Sequence, residues 1–197
     1  SPTGSETITQ AIARANAGDK ILLRAGTYST KWWSIGKSLY IGTYNGEQVT
    51  VNISDPTNGR AIEIGTENVM IEGINFNITN HPGAIALYKG NVVIKGVNLN
   101  MGGSATFISG LVAFSPVNNL LVENTTINGA DLGLSCNTGP CENWKISNVK
   151  IVGRSGSTSS GADCFAIENG KNFFLKNVES TGCSADGIDV KGTQVLI

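Results

Sequence analysis

Residues 68–77, Asn68-Val69-Met70-Ile71-Glu72-Gly73-Ile74-Asn75-Phe76-Asn77, carry a pattern that returns four times along the chain. It reads Asn, apolar, any residue, apolar, any residue, Gly or Asn, then a second stretch that ends on an apolar residue. The returns are Asn91 to Leu99, Asn119 to Ile127, Asn143 to Ile151 and Asn172 to Ser180, with start-to-start spacings of 23, 28, 24 and 29 residues. Self-similarity at such a period marks a solenoid, in which each coil buries its apolar face only by stacking on its neighbours.

Within a repeat the apolar residues alternate, as at Val69, Ile71, Ile74 and Phe76. That is the period of a strand with one buried face, and it excludes helix. Between the two apolar pairs stands Gly73, Gly96, Asn124, Asn148 or Asn177, residue types that accept a left-handed backbone at little cost, so the chain is expected to turn a corner there. A further short apolar strand precedes each repeat, at Ala61 to Ile64, Ala84 to Leu87, Leu111 to Phe114, Leu132 to Ser135, Cys164 to Ile167 and Ile188 to Val190. Three short strands per coil, joined by corners and one variable loop, describe an all-β parallel β-helix.

The composition agrees. A chain of 197 residues with 40% apolar side chains suffices for one continuous core, and 25 glycines with only 15% charged residues argue against a helical bundle. A net charge of −1 predicts no attraction to nucleic acid or to an anionic membrane. No apolar run reaches the roughly 20 residues of a membrane span, and any secretory leader is expected to have been cleaved already.

Toward the start, Thr7 to Ala17 places Ile8, Ala11, Ile12 and Ala15 on one helical face, and Gly18 is expected to stop the helix. Such a helix can cover the open end of a solenoid, giving one domain over 1–197 with an N-terminal cap at 1–20 and coils from 21 onward. Early coil strands are expected at Leu39 to Ile41 and Val49 to Ile53, around a turn at Tyr44-Asn45-Gly46. The opening TITQAIARANAGDKILLRAGTYS resembles the N-terminal cap and first coil of the pectate-lyase-like superfamily of right-handed parallel β-helix proteins. Together with the repeats, the resemblance spans essentially the whole chain and implies that fold. It says less of activity, because one scaffold hosts many functions.

Cys136 and Cys141 flank a tight NTGP loop, and Cys164 and Cys183 fall in adjoining coils near one variable corner. These spacings suit disulfides better than a metal site. Asn52, Asn77 and Asn124 head Asn-x-Ser/Thr sequons. Asn124 shares the corner position of Asn148 and Asn177, which favours a stacked asparagine over a glycan there. Disulfides and sequons together predict a secreted, extracellular glycoprotein.

Aligned by their short strands, Asp131, Asp163 and Asp186 fall at equivalent points on successive coils, with Asp189 and Glu168 nearby. Neighbouring strands lie about 4.8 Å apart, so stacked carboxylates must share a proton or bind a cation, and hard oxygen ligands suit Ca²⁺. The plainer reading is that these aspartates cap turns. Ala185-Asp186-Gly187-Ile188-Asp189 resembles the calcium motif of one family of β-helical pectate lyases, with Ala185 in place of one of the expected aspartates. That resemblance implies a Ca²⁺ site at Asp163, Asp186 and Asp189, with Asp131 as a further candidate. A β-elimination lyase also needs a Lys or Arg base, and Lys191 and Arg154 are the cations expected near the column. The Gly-His-Gly and Arg-Ile-Lys motifs of β-helical polygalacturonases do not occur, which ranks hydrolysis lower.

Trp32 and Trp33 offer either a sugar-stacking platform or cover for apolar edge. His81, before Pro82, is assigned a structural or solvent role. The chain ends at Ile197 inside an unfinished repeat with no recognisable C-terminal cap. Two functions are therefore expected: a carbohydrate-active protein, lyase or binder, acting on acidic polysaccharide, or a structural glycoprotein that self-associates through open coil ends.

Overall fold

The computed structural model describes residues 7–55, 57, 59–136, 139–156 and 162–196. Residues 1–6 of the expected cap, and Ile197, lie outside that set.

The strand pairings are parallel, and strands of the inner coils pair with counterparts one coil earlier and one coil later, while those of the first coil pair on one side only. Three columns of side chains fill the interior. Ile41, Ile71, Ile94, Val122, Ile146 and Leu175 stand in register, none more than 2% exposed. Val51, Phe76, Leu99, Ile127 and Ile151 form a second column, and Ile62, Ile85, Leu111, Leu134 and Phe165 a third, every residue fully buried. Each such side chain contributes about 1.5–3 kcal/mol of transfer free energy, so the stack rather than any one coil supplies the stability. The fold is the expected all-β parallel solenoid.

The corners explain the register. Gly73, Gly96, Asn124, Asn148 and Asn177 have φ of 74°, 60°, 50°, 52° and 51°, as their residue types predict. A second corner was not anticipated: Asn68, Asn91, Asn119, Asn143 and Asn172, the residues that open each repeat, have φ between 53° and 58°. Their side chains also join coil to coil. Asn119 Nδ2 donates to Asn91 Oδ1 at 2.8 Å, Asn143 to Asn119 at 3.1 Å and Asn172 to Asn143 at 3.0 Å. At the other corner Asn148 donates to Asn124 at 3.0 Å and Asn177 to Asn148 at 2.9 Å.

Helix α1 (Ile8–Arg14) covers the first coil, with Ile8 and Ile12 buried. Thr7 closes a capping box with Gln10. The helix ends at Arg14, before Gly18, where Ala15 turns extended, and Lys37 Nζ donates to the carbonyls of Ala13 and Ala15 at 2.7 Å. His81, 1% exposed, contacts the Lys31 carbonyl at 3.0 Å, a structural role.

Asn148 separates the two tasks of a corner asparagine. Asn148→Gly keeps the left-handed backbone and loses only the amide bonds to Asn124 and Asn177. Asn148→Ala also incurs the left-handed cost of about 1–2 kcal/mol. Urea denaturation of the two variants is expected to rank wild type above Gly above Ala.

Candidate functional site

Pairing of Phe165 with Ile188, extended back along the strands, brings Asp163 level with Asp186. Pairing of Leu134 with Phe165 carries the register on only from Leu134. Just before it the Gly133 and Leu134 amides both donate to the Cys164 carbonyl, so two residues of that strand face one of the next coil. The carboxylates turn to different partners. Asp163 Oδ1 accepts the Asp186 backbone amide at 2.9 Å, and Asp131 Oδ2 accepts the Ile108 amide at 2.7 Å. These carboxylates cap backbone amides of a neighbouring coil, a variant of the plainer reading in which the capped amide is distant in sequence.

The cations fall elsewhere than a lyase base requires. Arg154 holds Asp131, whose side chain is fully buried, through Nε to Oδ1 at 3.1 Å and Nη2 to Oδ2 at 3.0 Å. Its remaining donors reach the carbonyls of Ala105 at 2.6 Å and Thr106 at 3.0 Å, pinning residues 105–108 across the coils. Lys191 lies between Asp189 Oδ2 at 2.7 Å and Glu168 Oε2 at 3.1 Å. Asp189 first, and then Glu168, hold this ammonium well above its ordinary pKa, the opposite of what a general base needs. Among the described residues no group of three or more His, Cys, Asp or Glu is placed to share a metal ion. Asp189 is engaged by Lys191 and Asp163 by a backbone amide, so this donor set does not fit Ca²⁺ without rearrangement.

Trp33 opens the strand Trp33–Ile35 and Trp32 lies just before it, and the two differ in burial. Trp33 is fully buried, edge-on to Phe76 with centroids 5.3 Å apart, and so cannot stack on a ligand. Trp32 is 38% exposed and lines a cleft of about 300 Å³ with Ile12 and Ala13 of α1. Both disulfides form as paired above, Cys136 to Cys141 and Cys164 to Cys183. Of the sequon residues, Asn124 takes its place in the corner ladder, while Asn52 accepts from Asn77 at 3.0 Å on a strand face.

A concave site lies at the corner that opens each repeat. One cleft of about 440 Å³ is lined by Tyr88, Lys89, Asn91, Ser115 and Asn119, among others. A second, of about 330 Å³, is lined by Ser38, Thr66 and Asn68, and both share Glu67 and Lys89. The two follow one edge across successive coils. Tyr88, 38% exposed, is fixed by stacking on Phe114, with centroids 5.8 Å apart, and by a Ser115 hydroxyl bonded to its carbonyl at 2.6 Å. Arg60 lies over the Phe114 ring at 4.6 Å and backs the pair. The amide ladder from Asn91 to Asn172 continues along the same edge. Sequence reading passed over this site because Tyr88 and Lys89 fall after the apolar strand and outside the repeated pattern. The signal was an aromatic residue just beyond Leu87, where alternation ends.

Fold and site together define a disulfide-bonded parallel β-solenoid with a polar, aromatic-bearing edge. The chain matches no family model, no curated protein and no solved structure.

Removing Arg154 strands the buried Asp131 carboxylate, so Arg154→Ala is expected to cost about 3–5 kcal/mol in chemical denaturation. The double variant Asp131→Ala/Arg154→Ala is expected to cost clearly less than the sum of the two single variants.

Proposed function

We propose that this is an extracellular polysaccharide-binding protein whose acidic ligand lies along the corner that opens each repeat. The observation that carries the reading is the pair of clefts joined at Lys89, with an exposed, braced Tyr88 ring beside them. An aromatic face packs on a sugar ring, and exposed carboxamides meet its hydroxyls. Lys89 has no ion-pair partner among the described residues, which leaves it to meet a uronate carboxylate, while Glu67 accepts from hydroxyls. An extended polymer suits a site that repeats from coil to coil. The disulfides fit an oxidising, extracellular setting. The resemblance of the opening residues to the pectate-lyase-like superfamily favours the same substrate class. Binding rather than cleavage is the reading, since Arg154 and Lys191 are both held in ion pairs.

Affinity electrophoresis in gels containing polygalacturonate tests this. Retardation by the wild type is expected to fall about tenfold in apparent affinity for Tyr88→Ala, which corresponds to about 1.4 kcal/mol. Lys89→Ala is expected to weaken binding and flatten its salt dependence. Equal retardation of wild type, Tyr88→Ala and Lys89→Ala, or none for the wild type, overturns the reading.

A further inference from the structure

The second sheet of the solenoid presents a face of a different kind. Its strands are Gly26–Thr30, Val49–Ser54, Ile74–Thr79, Asn98–Gly102 and the second half of Leu120–Ala130. Parallel register sets Thr27, Thr50, Asn75, Asn98 and Thr126 in one outward row and Ser29, Asn52, Asn77, Asn100 and Asn128 in the next. The second row is bonded along its length: Asn77 Nδ2 donates to Asn52 Oδ1 at 3.0 Å, Asn100 to Asn77 at 3.2 Å and Asn128 to Asn100 at 2.9 Å. In the first row Asn98 donates to Asn75 at 2.6 Å. Each laddered carboxamide retains one N–H and one carbonyl lone pair for a ligand.

These two rows contain no ionisable side chain, whereas the strands that open the repeats, Val69–Glu72, Val92–Lys95 and the start of Leu120–Ala130, carry Glu72, Lys95 and Glu123 in ion pairs. The uncharged array ends where Lys150 and Glu179 continue the first row and pair with each other at 3.1 Å. A charged polymer laid here would lose hydration with no counter-charge in return. A protein partner would find no apolar centre to bury. An uncharged, hydroxyl-bearing chain meets donors and acceptors repeated about every 4.8 Å on a backbone that is already rigid. We infer that this face docks a neutral polysaccharide, at a surface separate from the Tyr88 edge.

The test uses protein produced without N-glycosylation, because a glycan on Asn52 or Asn77 would stand on this face. Retention on microcrystalline cellulose and insoluble mannan is measured for wild type, for Thr50→Lys/Thr126→Lys and for Tyr88→Ala. Wild type and Tyr88→Ala are expected to be retained alike on at least one of the two, with the double lysine variant weakened about tenfold or more. Where that variant fails to give the wild-type melting curve, Thr27→Glu/Ser29→Glu, at exposed positions beyond the amide ladders, is expected to weaken retention in the same way. No retention of the wild type on either material overturns the inference, as does equal retention of a folded face variant. Binding to polygalacturonate that depends on Tyr88 while both neutral materials fail overturns this inference and leaves the edge site standing.

Discussion

The fold depends on the left-handed backbone at its corners. A strand leaving one face must swing onto the next within a single residue, and only glycine or asparagine makes that swing cheaply. Asparagine adds a carboxamide that bonds its counterpart one coil away, as Asn143 does to Asn119. One residue type thus sets both the turn within a coil and the alignment between coils. Slipping the register by one residue would move every core side chain to the surface and break the ladder as well.

That coupling decides what the sequence makes legible. The apolar alternation of Val69, Ile71, Ile74 and Phe76 reports burial directly, and the corners at Gly73, Gly96, Asn124, Asn148 and Asn177 followed from residue chemistry. The opening asparagines were visible as a repeated letter, but their left-handed conformation was not, because nothing local distinguishes an asparagine that starts a strand from one that turns into it. The disulfide pairs were readable because a short loop joins Cys136 to Cys141 and the repeat puts Cys164 and Cys183 on adjoining coils.

The partners of the carboxylates were hidden for the same kind of reason. Aligned strands say which residues share a level, and they do not say that Asp131 turns to the Ile108 amide and Asp163 to the Asp186 amide. The partners of Arg154 lie up to 49 residues away, beyond any pattern in the neighbouring sequence. Trp33 shows the converse: it opens a strand and turns into the core while Trp32, just before the strand, stays exposed, so the two adjacent aromatics do not form one platform. The Tyr88 edge escaped because it lies in the variable stretch that a repeat-based reading discards.

Every carboxamide ladder described above runs the same way. In each, the residue of the later coil gives its Nδ2 hydrogen to the oxygen of the earlier coil, from Asn172 toward Asn91, from Asn177 toward Asn124 and from Asn128 toward Asn52. Bonds aligned head to tail polarise one another, so each ladder behaves as a one-way wire of amide dipoles lying along the solenoid axis. Its early terminus is a donor and its late terminus an acceptor. A coil inserted in the middle of the protein can join that wire only if it brings an asparagine facing the same way. Growth of such a solenoid by duplication therefore inherits a polarity as well as a shape.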